Sequence, residues 1–238
     1  MSYYRRSLAQ VHARDHTQYA LAAARLLLDQ LEGEGLIIDL GCGSGDLAGP
    51  VREAGFDYLG IDLSADMIAL ARDKYPHVRF TQGSAFDLPD VRGVRAIAAV
   101  GEVVNYATDA RAGAAGLTGW LRRCQDVLEP GGLLLLDVAG PLRAAPEPAT
   151  RVWAGDAYRI EVTVSTDASR RMLRREITVD DERGRTTEIH ELHLIEPVEV
   201  MAALRAAGFR ATALDRYSPE LPFPRGWSGF LARVPPRS

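Results

Sequence analysis

Short apolar runs alternate with helix-like segments over the first 140 positions of the chain. The apolar runs are typical of buried strands and occur at 36–40, 58–61, 78–81, 94–100 and 133–138. Patterns typical of helices occur at 18–31, 46–54, 64–74 and 118–128, and several are followed by glycine or proline. Strands and helices that alternate at this spacing predict a doubly wound, mostly parallel sheet.

The pattern changes at Pro141, where an alanine-rich stretch containing Pro146 and Pro148 predicts a linker. Segments near 157–166, 171–180 and 186–195 then alternate apolar and polar residues, so that Tyr158, Ile160, Val162 and Val164 share one face. This period of two predicts antiparallel strands with one covered face. A helix at 198–207 and two strands at 209–217 and 227–234 complete the pattern.

The chain is therefore predicted to have an α/β fold, with a mostly parallel sheet of seven strands and a small antiparallel β insertion after the fifth strand. We expect residues 1–140 to form the N-terminal helices and the ligand-binding core, residues 141–195 the linker and the insertion, and residues 196–238 the last helix and the closing strands. The insertion is too short to bury a core of its own. We therefore expect it to dock on the core as a lid over a ligand site.

The composition of the chain excludes some classes of binding partner. With 47% hydrophobic and 25% charged residues, the 238-residue chain predicts a packed globular protein. A net charge of -4 disfavours nucleic acid, which attracts a basic surface. Cys42 and Cys124 form no disulfide framework, residues 1–14 are too charged for a signal peptide, and no apolar run could span a bilayer. These features favour a cytoplasmic protein with no nucleic-acid partner and no membrane contact.

The central motif is Asp39-Leu40-Gly41-Cys42-Gly43-Ser44-Gly45, placed between a predicted strand and helix. Glycines there allow positive φ angles and close approach of a ligand to the backbone, although a tight turn alone would also use them. Asp62 ends the second predicted strand, where a carboxylate can accept hydrogen bonds from both ribose hydroxyls of an adenosine. The alternative role for Asp62 is that of a turn residue before Ser64.

The charge of Asp39 separates two ligand classes. A pyrophosphate at the glycine loop would be repelled by this carboxylate, whereas S-adenosylmethionine carries a sulfonium and an ammonium and no phosphate. Asp46 also occupies a position at which the dinucleotide pattern requires glycine. The residues therefore favour S-adenosylmethionine over a nicotinamide dinucleotide.

The chain resembles the class I S-adenosylmethionine-dependent methyltransferases, which have a Rossmann-like fold. The loop at 39–45 is similar to their first motif, and 60–64 to their second. The stretch 83–86 matches the segment along the adenine, 101–106 the segment beside the methyl group, and 128–132 the turn before strand five. The cofactor-binding residues that this resemblance implies are Tyr19, Asp39, Gly41, Cys42, Gly43, Asp62, Leu63, Met67, Gly83, Ser84, Ala85, Phe86, Gly101 and Glu102.

A closer resemblance is to small-molecule methyltransferases of the amino-sugar N-methyltransferase type. Their N-terminal helix carries a histidine and a tyrosine spaced like His12 and Tyr19, and a β insertion follows strand five. Leu8 replaces a tyrosine of that group, so the contact to the cofactor carboxylate is absent or passes to Tyr3 or Tyr4. The resemblance implies methyl transfer to an oxygen, nitrogen or carbon atom of a small molecule, with Asn105, Tyr106 and Trp227 binding the substrate.

Methyl transfer is an in-line displacement, so the protein chiefly aligns the reactants and excludes water. Glu102 is the first candidate to orient or deprotonate the acceptor, although a helix cap or a contact to the cofactor amine would equally explain it. His190 is the second candidate base, with a structural role as the alternative. Trp153, Tyr158 and Trp227 could line the acceptor cleft or pack in the core. The basic run Arg170, Arg171, Arg174 and Arg175 predicts a solvated hairpin or a clamp for an anionic substrate.

The sequence is also compatible with other functions. A non-catalytic S-adenosylmethionine-binding module would share the cofactor motifs, and a nicotinamide oxidoreductase is disfavoured by Asp39 and Asp46. His12 and His16 could face one side of a helix, but without a third ligand they predict no metal site. The sequence is compatible with an oxygen, nitrogen or carbon acceptor, with transfer with or without a base, and with a monomer or a homodimer.

Overall fold

The computed structural model of the protein describes residues 3–15, 17–144, 147–155 and 157–236. The first half of the chain alternates helices and strands, as the apolar runs predict. Its elements in chain order are α1 (Arg6–Asp15), α2 (Thr17–Leu28), β1 (Leu36–Leu40), α3 (Ala48–Glu53), β2 (Asp57–Asp62), α4 (Ala65–Lys74), β3 (Arg79–Gln82), β4 (Val94–Ala99), α5 (Ala114–Val127) and β5 (Leu128–Ala139).

The second half adds an antiparallel sheet and then returns to the core. Its elements are β6 (Ala149–Ala154), β7 (Tyr158–Asp167), β8 (Met172–Asp181), β9 (Gly184–His193), α6 (Pro197–Ala206), β10 (Arg210–Leu214), β11 (Arg216–Ser218), β12 (Leu221–Pro222) and β13 (Trp227–Arg233). Single 3₁₀ turns lie at Val103–Asn105 and Pro141–Arg143.

The core sheet has seven strands in the order β10-β13-β5-β4-β1-β2-β3. Strand β13 runs antiparallel to both of its neighbours, and the other pairs are parallel. The predicted fold class is therefore confirmed. Because the strand order reverses direction between β1 and β4, the carboxyl ends of these strands open a crevice of the kind in which such sheets bind ligands.

Helices cover both faces of the core sheet, which explains why its strands are continuous apolar runs rather than alternating ones. In β5, residues 133–136 are fully buried and contribute side chains alternately to two apolar layers. Leu121 of α5 and Leu204 of α6 lie in one layer, and Leu27 of α2 and Val51 of α3 lie in the other.

The four-stranded insertion sheet has the order β6-β7-β8-β9, one strand more than predicted. Strand β6 directly follows the proline-containing stretch expected to be a linker, of which Pro146 lies outside the described residues, and it precedes the three predicted strands. All its residues are exposed, so no apolar face marks it in the sequence. The predicted apolar face of β7 is present, and Leu8 and Val11 of α1 pack with Ile177 in the apolar cluster beside it.

The two ends of the insertion meet at the core. The Ile195 amide donates a hydrogen bond to the Ala139 carbonyl at 2.9 Å. The insertion therefore leaves and rejoins the fold at the carboxyl end of β5. Among the described residues, no helix is both long and apolar enough to cross a bilayer.

Candidate functional site

A cavity opens at the carboxyl ends of β1 and β2 and is covered by the N-terminus of the described chain. Its lining includes glycines of the loop after β1, the end of β2, and the segments that follow β3 and β4. The lining residues are Tyr3, Tyr4, His12, Gly41, Gly43, Asp62, Leu63, Ser64, Met67, Ser84, Ala85, Phe86, Val100, Gly101, Val103, Tyr106, Thr108 and Asp109. We call it the first cavity.

The glycine loop needs glycine for two different reasons. Gly41 and Gly43 have φ angles of 74° and 52°, in the left-handed region that side chains disfavour. A Cβ atom at Gly41 would also lie 2.5 Å from Cγ2 of Val103. The loop therefore keeps its backbone bare where it faces the first cavity.

Asp62 is held with its carboxylate at the cavity wall. Oδ2 accepts a hydrogen bond from the Gly43 amide at 2.9 Å, and Oδ1 accepts one from the Ser64 amide at 2.8 Å. Burial raises the pKa of Asp62 above its ordinary value, while these two amides lower it. Each carboxylate oxygen retains a lone pair for a further donor, such as a ribose hydroxyl.

Five of the fourteen predicted cofactor contacts do not line the first cavity: Tyr19 and Glu102 line a second cavity described below, and the other three lie behind the wall of the first. The Asp39 carboxylate accepts a hydrogen bond from the Tyr58 hydroxyl at 2.6 Å, and burial raises its pKa to about 7. Cys42 is buried with its sulfur against Gly60, and the Gly83 amide donates to the Asp62 carbonyl at 2.9 Å. These residues support the loop and strand ends from below.

Residues 3–5, which we call the N-terminal segment, are tied across the first cavity. The Ser64 hydroxyl donates to the Tyr4 carbonyl at 2.8 Å, and the Arg5 amide donates to Glu188 of β9 at 2.9 Å. Tyr3 and Tyr4 thus line the cavity, as expected if they replace the tyrosine missing at position 8. Leu8 packs beneath the insertion sheet.

A second cavity lies between the core and the insertion sheet, with a volume of about 600 Å³. This volume is within the range of small-molecule sites. It is lined by Tyr4, Leu8, Val11, His12, Tyr19, Gly101, Glu102, Tyr106, Arg143, Ala149, Arg151, Trp153, Ile160, Val162, Val164, Leu173, Arg175, Ile177, Pro224 and Trp227. The two cavities share Tyr4, His12, Gly101 and Tyr106, so they are neighbours in space.

Glu102 sits in the second cavity between two guanidinium groups. It adopts a left-handed φ of 62° and is buried, with Arg175 Nη2 2.6 Å from Oε2 and Arg143 Nε 3.1 Å from Oε1. Burial alone would raise the pKa of Glu102, but the two arginines lower it below its ordinary value. The carboxylate is therefore held ionised and paired, which is unfavourable for accepting a proton as a base.

Asp137 of β5 is a buried site residue that the sequence reasoning missed. It accepts hydrogen bonds from the amides of Gly101 and Glu102 at 2.9 and 2.5 Å, from Trp227 Nε1 at 2.8 Å, and from the Tyr217 hydroxyl. Burial raises the pKa of Asp137 to about 6, although the hydrogen bonds from these donors lower it. A single acid inside an apolar strand is the signal that could have revealed it.

The three residues predicted to bind substrate have different surroundings. Asn105 is fully buried and lines neither cavity, because its amide bonds the Ala139 and His193 carbonyls at 3.0 and 2.6 Å. Tyr106 lines both cavities, with its hydroxyl 2.8 Å from that of Tyr4. Trp227 lines the second cavity, and its ring lies 5.0 Å from that of Tyr19.

His190 lies on the core-facing side of β9 but lines neither cavity. It is fully buried, with Tyr3 stacked on it at 4.2 Å and Nε2 3.1 Å from Glu188. A base must reach the proton it removes. This placement therefore argues against the predicted catalytic role and favours the structural alternative.

The basic run divides between two faces of the insertion sheet. Arg171 pairs with Glu199 and Arg174 with Glu176 on the outside, whereas Arg175 alone lines the second cavity. His16 lies outside the described residues, so the metal pair with His12 is not described. Within the described ranges, no group of three or more potential ligands could hold a metal ion.

Comparisons with known proteins agree with this geometry. Residues 37–132 match a family model described as a methyltransferase domain. Demethylmenaquinone methyltransferase from Chlorobaculum tepidum is 35% identical over 118 residues, which are 48% of this chain and 46% of that protein. The chain thus spans about half the length of the curated relatives it matches.

Solved structures show the same fold over nearly the whole chain. An S-adenosylmethionine-dependent methyltransferase from Clostridium acetobutylicum has a TM-score of 0.78 at 16% identity, covering 95% of this chain and 97% of its own. An amino pentose methyltransferase from Micromonospora echinaspora, with S-adenosylmethionine bound, has a TM-score of 0.72 at 21% identity and 98% coverage of both chains. Residues 37–132 of this chain thus match a methyltransferase domain, and the chain has the fold of the S-adenosylmethionine-dependent methyltransferases.

Proposed function

We propose that this chain transfers a methyl group from S-adenosylmethionine to a small molecule bound beneath the insertion sheet. The observation that carries the proposal is the contact between the two cavities at Gly101 and Tyr106. One cavity has the features of an adenosine site, and the other has the size of a small-molecule site. A module that only held the cofactor would not require the second cavity.

The residues of the first cavity fit S-adenosylmethionine. The bare backbone at Gly41 and Gly43 leaves room for a ligand that a Cβ atom would restrict, and the oriented Asp62 carboxylate can accept from two ribose hydroxyls. Phe86 and Met67 would flank the adenine, and Tyr3 and Tyr4 would lie toward the amino-acid end. The bound cofactor supplies a methyl group on a positively charged sulfur, which is a good leaving group.

The chain's own contribution is alignment and exclusion of water. Asp137 fixes the backbone of Gly101 and Glu102, where the two cavities meet, and Asn105 ties this segment to β5 and to the end of β9. The insertion sheet covers the second cavity as a lid. Fixed walls on both sides of the transfer point favour a collinear approach of acceptor and methyl group.

The proposed mechanism assigns no proton transfer to Glu102 or His190. Glu102 is held in ion pairs by Arg143 and Arg175, and we propose that it positions these arginines. His190 supports the N-terminal segment through its stacking on Tyr3. The acceptor atom then has to be nucleophilic in the state in which it binds.

Binding and transfer can be tested separately. We expect S-adenosylhomocysteine and S-adenosylmethionine to bind by calorimetry and to raise the melting temperature, whereas NAD should do neither, because only a ligand that fits the native state stabilises it. With tritiated methyl donor and a deproteinised extract, label should enter the low-mass fraction. A response to NAD without one to S-adenosylhomocysteine would refute the proposal. Binding without label transfer would favour a non-catalytic module.

A further inference from the structure

We propose that the acceptor is an anion with an apolar body, and that the arginines of the second cavity select its charge. This inference rests on the proposed function, since it names the substrate class of the same site. It is carried by an excess of positive charge in a cavity whose remaining walls are mostly apolar. The anionic group is a carboxylate or a phosphate ester, both of which arginine recognises through paired N–H donors.

The charge balance of the second cavity is positive. Its charged lining residues are Arg143, Arg151 and Arg175 against the single carboxylate of Glu102. Arginine stays protonated in proteins, so three positive charges face one negative charge. Two further charges are therefore uncompensated within the lining, and an anionic ligand would neutralise one or both.

Arg175 is the most deeply placed of these cations. The alternation of β8 turns Leu173, Arg175 and Ile177 toward the cavity and Arg174 toward the outside. The Arg175 side chain is 15% exposed and shares the Glu102 carboxylate with Arg143. Burying a cation is costly unless its charge is fully paired. Because Arg175 shares the Glu102 carboxylate with Arg143, its charge is only partly neutralised, and it can pair with a second anion.

Arg143 also has an unused donor. Its Nε and Oε1 of Glu102 lie 3.1 Å apart, yet neither atom has a hydrogen-bond partner among the described residues, because their alignment is poor. Buried polar atoms are nearly always satisfied in native proteins. Arg143 is therefore held to Glu102 by charge and not by a well-aligned hydrogen bond, which leaves its guanidinium group available to an anion in the cavity.

Strand β6 brings the third cation and an aromatic wall. Arg151 pairs in register with Val162, and Trp153 with Ile160, so both point to the cavity face of the insertion sheet. Arg151 is exposed and forms no ion pair with the described residues, and Trp153 is 49% exposed. With Leu173 and Trp227, these residues form an apolar slot edged by cations, which suits a flat or aliphatic body carrying an anion.

The test compares ligands that share one body and differ in charge. The protein is saturated with S-adenosylhomocysteine and titrated by calorimetry with 1-naphthylacetate, 1-naphthylacetamide and 1-naphthylmethylamine. We expect the carboxylate to bind at least about tenfold more tightly than the neutral amide, with the amine weakest and the preference reduced by salt. A parallel titration with 1-naphthyl phosphate distinguishes a phosphate site from a carboxylate site by which anion binds more tightly.

Variants assign the preference to the cavity. Arg175→Gln and Arg151→Gln should each lower the affinity for the preferred anion several-fold and leave that for the amide unchanged. Arg174→Gln, one residue from Arg175 but on the outer face, is the matched control and should behave like the parent protein. Because Arg151 is exposed, its replacement remains informative if Arg175→Gln fails to fold.

The proposal is overturned if the amide or the amine binds as tightly as the anions. It is equally overturned if neither anion binds at millimolar concentration, or if Arg174→Gln weakens the anions as much as Arg151→Gln. Affinity for S-adenosylhomocysteine is measured in the same preparations. If that affinity is normal while the anion preference is absent, the substrate class is wrong and the proposed methyl transfer is unaffected.

Discussion

Asp39 and Asp62 lie near the carboxyl ends of neighbouring parallel strands, yet only Asp62 lines the first cavity. Asp39 turns to the Tyr58 hydroxyl beneath the loop, whereas Asp62 is clamped by the Gly43 and Ser64 amides. At the scale of single residues, the partner of a carboxylate thus decides its role. The two acids look equivalent in the motif, and their hydrogen bonds separate them.

Replacement of Asp62 by alanine should remove the ribose contacts and release the Gly43 amide. We expect Asp62→Ala to weaken S-adenosylhomocysteine binding by about 1.5–3 kcal/mol, the range for hydrogen bonds to a charged group, as measured by calorimetry. Asp57→Ala, at the exposed start of the same strand, is the control and should bind normally. An unchanged dissociation constant for folded Asp62→Ala would make Asp62 a turn residue only.

Glu102 offers a test with the opposite sign. Glu102→Gln removes the one negative charge that competes with a ligand for Arg143 and Arg175. We expect this variant to bind the preferred naphthyl anion more tightly by about three- to tenfold, because a unit charge at this range is worth on the order of 1 kcal/mol. Weaker anion binding by a folded variant, measured by the same titration, would mean that Glu102 contacts the acceptor itself.

At the scale of elements, the insertion sheet acts as a wall that the core cannot supply. Its cavity face carries Arg151, Trp153, Ile160 and Arg175, while the core contributes the cofactor residues and Glu102. The N-terminal segment joins the two parts, because it is bonded both to Ser64 of the core and to Glu188 of β9. The first cavity is therefore built by the core and the N-terminal part of the chain, and the insertion sheet adds a wall to the second cavity alone.

This division predicts the effect of removing the insertion. Because the Ile195 amide bonds the Ala139 carbonyl, a short Gly-Ser linker can replace residues 141–193 without moving the core strands. We expect S-adenosylhomocysteine binding to persist, with a lower melting temperature since Leu8 and Val11 lose their cover. Transfer of labelled methyl groups to the low-mass fraction should be abolished.

The hairpin-tip variant Glu182→Ala is the control for this deletion, since that side chain is 81% exposed and lies far along the same sheet. It should retain both binding and transfer. Normal transfer by the shortened protein would show that the acceptor site lies elsewhere and that the insertion sheet is no lid.

At the scale of the whole molecule, two buried acids link stability to pH. Burial raises the pKa of Asp39 to about 7 and that of Asp137 to about 6, against an ordinary value of 3.8. The folded state therefore keeps protons that the unfolded chain has already lost. Such groups stabilise the fold at lower pH, and their contribution is lost as pH rises through the folded pKa values.

We expect the free energy of unfolding to fall by about 1 kcal/mol between pH 6.5 and pH 8, mostly because of Asp39, measured by urea denaturation. His193 opposes this fall by a smaller amount, because its lowered pKa makes stability rise with pH while the unfolded imidazole is still partly protonated near pH 6.5. Asp39→Asn, which cannot ionise, should lose about 1 kcal/mol of this pH dependence. A free energy of unfolding that is flat or rises over this interval would contradict the assignment.

The amino-acid sequence alone determined the core fold, the glycine loop, the role proposed for Asp62 and the resemblance to methyltransferases. These follow from local patterns, since a strand buried on both faces must be apolar throughout and a loop that meets a ligand must lack side chains. Strand β6 was not predicted, because an exposed edge strand requires neither a continuous apolar run nor a glycine loop. The observed ends of several elements differ from the predicted ends by a few residues, because caps and turns such as Gly113 before α5 determine them.

Only the tertiary structure decided which distant residues meet. Glu102, Arg143 and Arg175 come from a loop, a 3₁₀ turn and an insertion strand, and Asp137 meets Gly101 and Trp227 from other elements. Asn105 and His190, expected at the substrate, are instead buried with structural partners. Sequence periodicity predicts which face of an element is covered, but the packing of the elements decides which side chains cover it. For this reason only Arg175 of the basic run lines the second cavity.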